Sequence, residues 1–456
     1  MGDIMEKQNH EQWSSKIGFI LAAAGSAIGL GAIWKFPYMA GTNGGGVFFL
    51  IFILFTVFFG APMLFAEFII GRSTQKDAIT AYKKLSPNTP WHLVGVIGVI
   101  SSFVLLSFYS VVGGWIISYM VRSLTGELSH LSNEQYGELF GQIISNPWEV
   151  TITQLIFLIM TIAVVQGGIQ NGIEKANKYM MPSLFILFII LVIRSVTLEG
   201  GMEGIKFFLM PDMHEITSKT FIMALGQSFF ALSVGLSVMV TYGSYLSKAE
   251  SLPRSVTSIV SLNIFISLLA GLAIFPAVFA LGFKPDSGPS LVFIIFPAVF
   301  QQIAYGSIFF AIFMILLLFA TLTSAFSILE IIVATIAKDD SSKRKKVAWL
   351  AGIFVFLIGI PAALSNGILA DVKPLFNKTI FDLSDYFVSN IALPTGCLLI
   401  ALFVGLRIPK AVLKEELLRA SSASTKLFTI WYWSIRYLVP IGIVIVFLHA
   451  LGIIQV

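Results

Sequence analysis

Gly25-Ser26-Ala27-Ile28-Gly29-Leu30-Gly31 stands in the middle of the apolar run 14–37. Three glycines in seven residues weaken a helix, each by roughly 1 kcal/mol against alanine in water. Inside a bilayer such a stretch has few fates, because unwound backbone is tolerated only where it lines a cavity or is covered by protein. Gly25 and Gly29 also form a small-xxx-small pair, which serves close helix packing. A phosphate-cradling loop does not fit, since Trp34 replaces the third glycine and no Gly-Lys dipeptide occurs in the chain.

A second interruption, Ser233-Val234-Gly235-Leu236, falls five spans later with Ser228 and Ser237 around it. That separation is what an inverted repeat of five helices produces. Paired Gly-interrupted helices in corresponding positions are the best sequence pointer to a transporter's binding site. Unwound segments offer backbone N–H at one half-helix end, suited to a carboxylate, and C=O at the other, suited to a small hard cation. A zwitterion and an alkali ion can then share a site without formal charge from the protein.

The rest of the chain agrees with a membrane setting. Of 456 residues 57% are apolar and 12% charged, roughly half the charged fraction of a soluble domain. Runs long enough to span occur at about 14–37, 43–70, 91–123, 148–167, 172–197, 220–246, 256–282, 290–337, 347–364, 382–406 and 430–452. The expected fold is all-α and polytopic, with about eleven transmembrane helices in a 5+5 inverted repeat, helices 1 and 6 being discontinuous. The organisation divides into an N-terminal segment 1–12, a ten-helix core 13–406 (repeats 13–197 and 220–406), a loop 407–429 and an eleventh helix 430–456. Sorting the 29 Lys and Arg residues by alternate loops gathers most of them on the side of the N-terminus, which the positive-inside rule assigns to the cytoplasm of a cell-membrane protein. The basic run 341–346 has no interleaved aromatics, so it reads as a topology determinant and not as a nucleic-acid patch. The lone Cys397 forms no internal disulfide, and the five histidines show no metal spacing.

Ala320-Thr321-Leu322-Thr323-Ser324 places three hydroxyls in an apolar helix, where they either bond back to the preceding turn or contribute oxygens to a cation. Glu67 and Glu330 lie inside spans and are functional suspects for that reason. Glu67 reads as an acceptor bracing the broken helices, and Glu330 has no assignment.

Trp13 to Pro37 (WSSKIGFILAAAGSAIGLGAIWKFP), then Asn43-Gly44-Gly45-Gly46, Pro62, Glu67 and Gly71-Arg72, resemble the signature of the neurotransmitter:sodium symporters. Gln227-Ser228-Phe229-Phe230, Asn263 and the 320–324 motif extend the resemblance over essentially the whole chain. It implies that a substrate carboxylate meets the N–H groups of Leu30 and Gly31 and the Tyr109 hydroxyl. The amino group meets carbonyls including those of Ala27 and Phe230, plus Ser233. The side chain enters a pocket of Leu105, Tyr109, Phe230, Leu236, Ser324 and Ile328. A second sodium site maps intact onto the carbonyls of Gly25, Ile28 and Ala320 with the hydroxyls of Thr323 and Ser324. A first site retains Ala27, Ala231 and Asn263 but lacks two side-chain oxygens, at Ala32 and Ala231. Phe52 and Ala231 stand where chloride-dependent relatives carry ligands, so strong chloride dependence is not expected despite Ser267.

For gating the resemblance implies Lys35 with Asp385 on the outer side, Lys35 being otherwise a snorkelling interface residue. Trp13 anchors the inner side, with an acid at Asp339 or Asp340. Gly172 and Pro182 bracket a segment of helix 5 that the resemblance links to unwinding; Pro182 cannot donate its own helical hydrogen bond, which predisposes the turn before it to open, a static kink being the alternative. The expected function is sodium-coupled uptake of hydrophobic and aromatic L-amino acids by alternating access, with two Na⁺ sites and no organic cofactor. Proton coupling on the same fold is the alternative. A channel wants a ring of carbonyls or charges and an enzyme a catalytic cluster, and neither pattern is visible.

Overall fold

A computed structural model of the chain describes residues 11–128, 131–282, 291–302, 304–338 and 340–453. Asp339 lies outside these. Among the described residues there is no β-strand, only an isolated bridge between Leu375 and Lys378. The continuous spans are α2 (Gly46–Thr74), α3 (His92–Thr125), α4 (Pro147–Val165), α5 (Ile169–Val196), α7 (Leu252–Ala280), α8 (Gly306–Ala337), α9 (Ser341–Asn366), α10 (Ile380–Leu406) and α11 (Thr425–Ala450). Two more are interrupted. α1a (Lys16–Ala27) and α1b (Gly31–Thr42) meet at a bend of 52°, and α6a (Ser218–Phe230) is separated from α6b (Val238–Ser244) by a non-helical stretch. Among the described residues, nine continuous and two broken helices account for the eleven apolar runs.

The two interruptions arise differently. In helix 6 the backbone turns left-handed at Ser233 (φ 53°), Gly235 (φ 99°) and Ser237 (φ 58°), which no α-helix can accommodate. In helix 1 none of Gly25, Gly29 and Gly31 has positive φ. Their glycine character is used for close approach. A Cβ on Gly31 would fall 2.7 Å from the Phe230 ring, and one on Gly29 would overlap the Ser324 hydroxyl and lie 2.8 Å from the Tyr109 oxygen. Breaking and close packing, alternatives in the sequence, coincide here.

Several boundaries move for local reasons. The run 290–337 divides into a short helix Val292–Gln301 and α8, because Tyr305 turns left-handed (φ 62°) and Gly306 packs on the Phe300 carbonyl without room for a Cβ. Helix α11 begins at Thr425 rather than 430, since the Ser424 hydroxyl accepts the Leu427 N–H and caps it. Among the spans α8, α3 and α7 are the most buried, with α1a packed against α8 and α7 and α6b against α8, while α11 and α5 carry large exposed apolar surface.

Candidate functional site

The broken segments of helices 1 and 6 face each other across a cavity of about 50 Å³, closed laterally by α3 and α8. Ala27, Leu30, Gly31, Leu105, Tyr109, Phe230, Ser233, Leu236, Ser324 and Ile328 all line it, so the ten positions named from sequence are brought together. One end is polar. The Leu30 N–H donates to the Tyr109 hydroxyl at 3.4 Å, and that hydroxyl also bonds to Ser324. Ser233 and Ser324 each donate to the Ser26 carbonyl at 2.8 Å, and the Ser26 and Ser327 hydroxyls share a bond of 2.6 Å. Ser26 and Ser327 were not singled out from sequence. Ser26 stands inside the glycine-rich segment, the signal that could have found it. The other end is formed by the apolar side chains of Leu105, Leu236 and Ile328.

Beside this cavity, oxygens converge where α8 meets the end of α1a. The Thr323 hydroxyl lies 3.0 Å from the Gly25 carbonyl and 2.9 Å from that of Ala320, with the Ser324 hydroxyl 3.4 Å from Gly25. This is a neutral oxygen cluster with no acid or histidine in it. Hydroxyl and carbonyl oxygens of this kind suit a hard alkali cation held by dipoles; among the described residues no three His, Cys, Asp or Glu side chains converge as metal ligands. Ile28 belongs to the same turn, its N–H bonded to the Ala24 carbonyl at 2.8 Å.

The second group differs. Asn263 donates its amide to the Ala231 carbonyl at 2.7 Å, and Gln227 donates to Gly31 at 2.7 Å. The amide oxygens Asn263 Oδ1 and Gln227 Oε1 are buried and without a hydrogen-bond partner among the described residues. Ala231 and Asn263 are thus adjacent. Ala32 and Ala231 supply no side-chain oxygen beside them.

Phe230 is the partition between the cavity and a vestibule of about 390 Å³ on the side away from Trp13. The Lys35 ammonium stands 4.2 Å above its ring. Asp385, expected to pair with Lys35, accepts from the Ser389 hydroxyl at 3.0 Å; among the described residues it stands beyond ion-pair distance of Lys35 but acts on it electrostatically. The cation rests on the aromatic face.

The opposite side is sealed. Trp13 donates its indole N–H to the Tyr242 carbonyl at 3.1 Å and its backbone N–H to Tyr245 at 3.2 Å. Glu174 of α5 accepts from the Ser14 N–H at 2.7 Å and from the Ser14 and Ser15 hydroxyls. Beneath Trp13, Tyr245 donates to Glu330 at 2.7 Å and Arg344 pairs with the same carboxylate, while Glu11 lies 3.7 Å from Arg344. Glu330 therefore acquires a place that sequence left open. Asp340 does not join this network; it caps α9 and pairs with Lys343 at 2.9 Å. Its carboxyl is pulled down to about 2 by the Ser342 hydroxyl and the Lys343 ammonium. Glu67 accepts the Gly235 N–H at 2.6 Å, bracing the break in helix 6. Gly172 lies in an over-wide turn, Ile169–Glu174, and Pro182 sits within a continuous helix, so α5 is wound between them.

Comparison with known proteins gives one answer. The profile of the Sodium:neurotransmitter symporter family matches residues 10–139 and 138–456. The chain is 55% identical to the uncharacterized sodium-dependent transporter YhdH of Bacillus subtilis (strain 168), covering 99% of this chain and all of that one. It is 38% identical to an uncharacterized sodium-dependent transporter of Haemophilus influenzae, over 97% of this chain and 99% of the relative. Among solved structures, that of MhsT in complex with L-phenylalanine superposes with a TM-score of 0.88 at 42% identity, covering 96% and 99% of the two chains.

Proposed function

The chain belongs to the Sodium:neurotransmitter symporter family, sodium-dependent membrane transporters and not enzymes, and from that premise we propose that it takes up hydrophobic and aromatic L-amino acids together with sodium. The observation that carries this reading is the cavity between the two helix breaks, polar at the Leu30–Tyr109 end and apolar at Leu105, Leu236 and Ile328. The polar end suits a carboxylate and an ammonium, and the apolar end rejects charged side chains by desolvation. The similarity to MhsT, whose structure holds L-phenylalanine, supports the same class.

In this reading sodium enters at Gly25, Ile28, Ala320, Thr323 and Ser324, and a weaker second ion sits at Ala27, Ala231 and Asn263. Chloride has no strong role. The N-terminus is cytoplasmic, so the vestibule above Phe230 opens outward and the Trp13 network closes the inner face. Phe230 with Lys35 is the thin outer lid. Helix 5 unwinds between Gly172 and Pro182 when the inner face opens. Coupling requires that sodium bind the outward-facing arrangement better than the inward-facing one, since a ligand shifts an equilibrium only through differential affinity. The test is uptake into proteoliposomes at zero membrane potential. An inward sodium gradient is expected to drive accumulation of leucine, tryptophan or phenylalanine; accumulation driven equally by a proton gradient with sodium absent would favour proton coupling instead.

A further inference from the structure

Beside the contact between α2 and α11 runs an apolar groove of about 870 Å³, walled by Val57, Phe58 and Phe65 on one side and Ile430, Trp433 and Tyr437 on the other. Apolar surface alone is ordinary for a spanning helix. A cation against one of its lining rings, Tyr437, is not. Arg436 lies within the span Thr425–Ala450, its guanidinium 5.6 Å from the centre of the Tyr437 ring and 5.8 Å from that of Tyr432, donating to the Tyr432 hydroxyl at 2.6 Å. Lys410 stands over the same Tyr432 ring at 5.0 Å. Among the described residues neither cation is paired with a carboxylate, and Arg436 Nε is buried without a hydrogen-bond partner.

A guanidinium inside a span is costly unless an anion compensates it, and its planar fork matches phosphate oxygens. Two cations leaning on one ring therefore call for an anion, and the adjoining groove calls for hydrocarbon. We propose that this site binds an anionic phospholipid, its phosphate held by Arg436 and Lys410 and an acyl chain lying along Tyr437, Trp433 and Phe58. The stacked rings of Trp433 and Tyr437, 5.2 Å apart, form the rim between the two parts. Basic residues at a membrane edge attract anionic lipids in general; here the geometry adds a defined chain slot. The assignment requires only that the chain spans a bilayer and is independent of what it transports.

The experiment is native mass spectrometry of the protein recovered from nanodiscs of phosphatidylcholine mixed with phosphatidylglycerol at about 3:1. The wild type is expected to retain phosphatidylglycerol over phosphatidylcholine by about tenfold. Arg436→Gln with Lys410→Gln removes the preference, Arg436→Lys with Lys410→Arg keeps it, and Ile430→Trp lowers retention of both lipids. Equal retention of the two lipids by the wild type overturns the proposal, as does a preference that survives loss of both charges. A lipid-free dimer also overturns it, by placing a second copy in the groove. The wild-type comparison decides the matter even where the doubly neutral variant fails to fold.

Discussion

Replacing Tyr109 by Phe removes one oxygen from the polar end of the cavity and nothing else. That oxygen accepts the Leu30 N–H at 3.4 Å, beyond the usual 2.7–3.2 Å range for N–H donors, so the bond is weak and its loss costs the fold little. Ser324 keeps an acceptor, the Ser26 carbonyl at 2.8 Å, and is not orphaned. In the proposed function the hydroxyl donates to a substrate carboxylate. A hydrogen bond to a charged group contributes about 1.5–3 kcal/mol. At about 1.4 kcal/mol per decade, affinity for L-phenylalanine is expected to fall about 10- to 150-fold. Equilibrium binding to purified protein in sodium buffer reads this directly. Repeating it with L-phenylalaninol, which has no carboxylate, separates the carboxylate interaction from general packing: the variant and the wild type should then differ by less than about threefold. Unchanged affinity for L-phenylalanine, or the same loss for both ligands, would refute the assignment of Tyr109.

Three further outcomes follow from the same geometry. Thr323→Ala and Ser324→Ala each remove an oxygen from the cluster at Gly25 and Ala320; the sodium concentration for half-maximal binding should rise about tenfold, equivalent to about 1.4 kcal/mol, with Thr323→Ser close to wild type. Gly29→Ala drives a Cβ onto Ser324 and Tyr109, and overpacking of about 1–3 kcal/mol should lower the melting temperature and abolish binding; normal uptake would contradict the packing described. Arg344→Gln strands the buried Glu330 carboxylate, an expected loss of about 3–5 kcal/mol visible in thermal unfolding, and the added change Glu330→Gln should recover most of it because no charge is then left uncompensated.

What the sequence could and could not convey follows from the range of each interaction. The break at Gly235 was legible because glycine marks backbone that side chains disfavour, but the left-handed turns at Ser233 and Ser237 were not, since serine carries no such mark. The ten cavity residues were legible through resemblance; their apolar members, Leu105 and Ile328 among them, look like any other membrane residues in isolation. The inner network was hidden for a plainer reason. Tyr245 and Glu330 are 85 residues apart, and Arg344 reaches Glu330 from a different helix. Asp340, a favoured capping residue, caps its own helix; that the inner network falls to Glu330 depends on contacts far along the chain. The seat of Lys35 on the ring of Phe230 joins helices 1 and 6 across a long stretch of chain, so no local pattern announced it.

The central claim is that one cavity between two helix breaks binds an amino acid and sodium interdependently. The most direct measurement is equilibrium dialysis of L-phenylalanine against the purified protein across a sodium series, with N-methylglucamine as the replacing cation and a parallel measurement of sodium binding across an amino-acid series. Because coupling between two sites is reciprocal, sodium should raise phenylalanine affinity by about tenfold or more, and phenylalanine should raise sodium affinity by the same factor. Phenylalanine affinity that does not change when sodium is withdrawn would contradict the account.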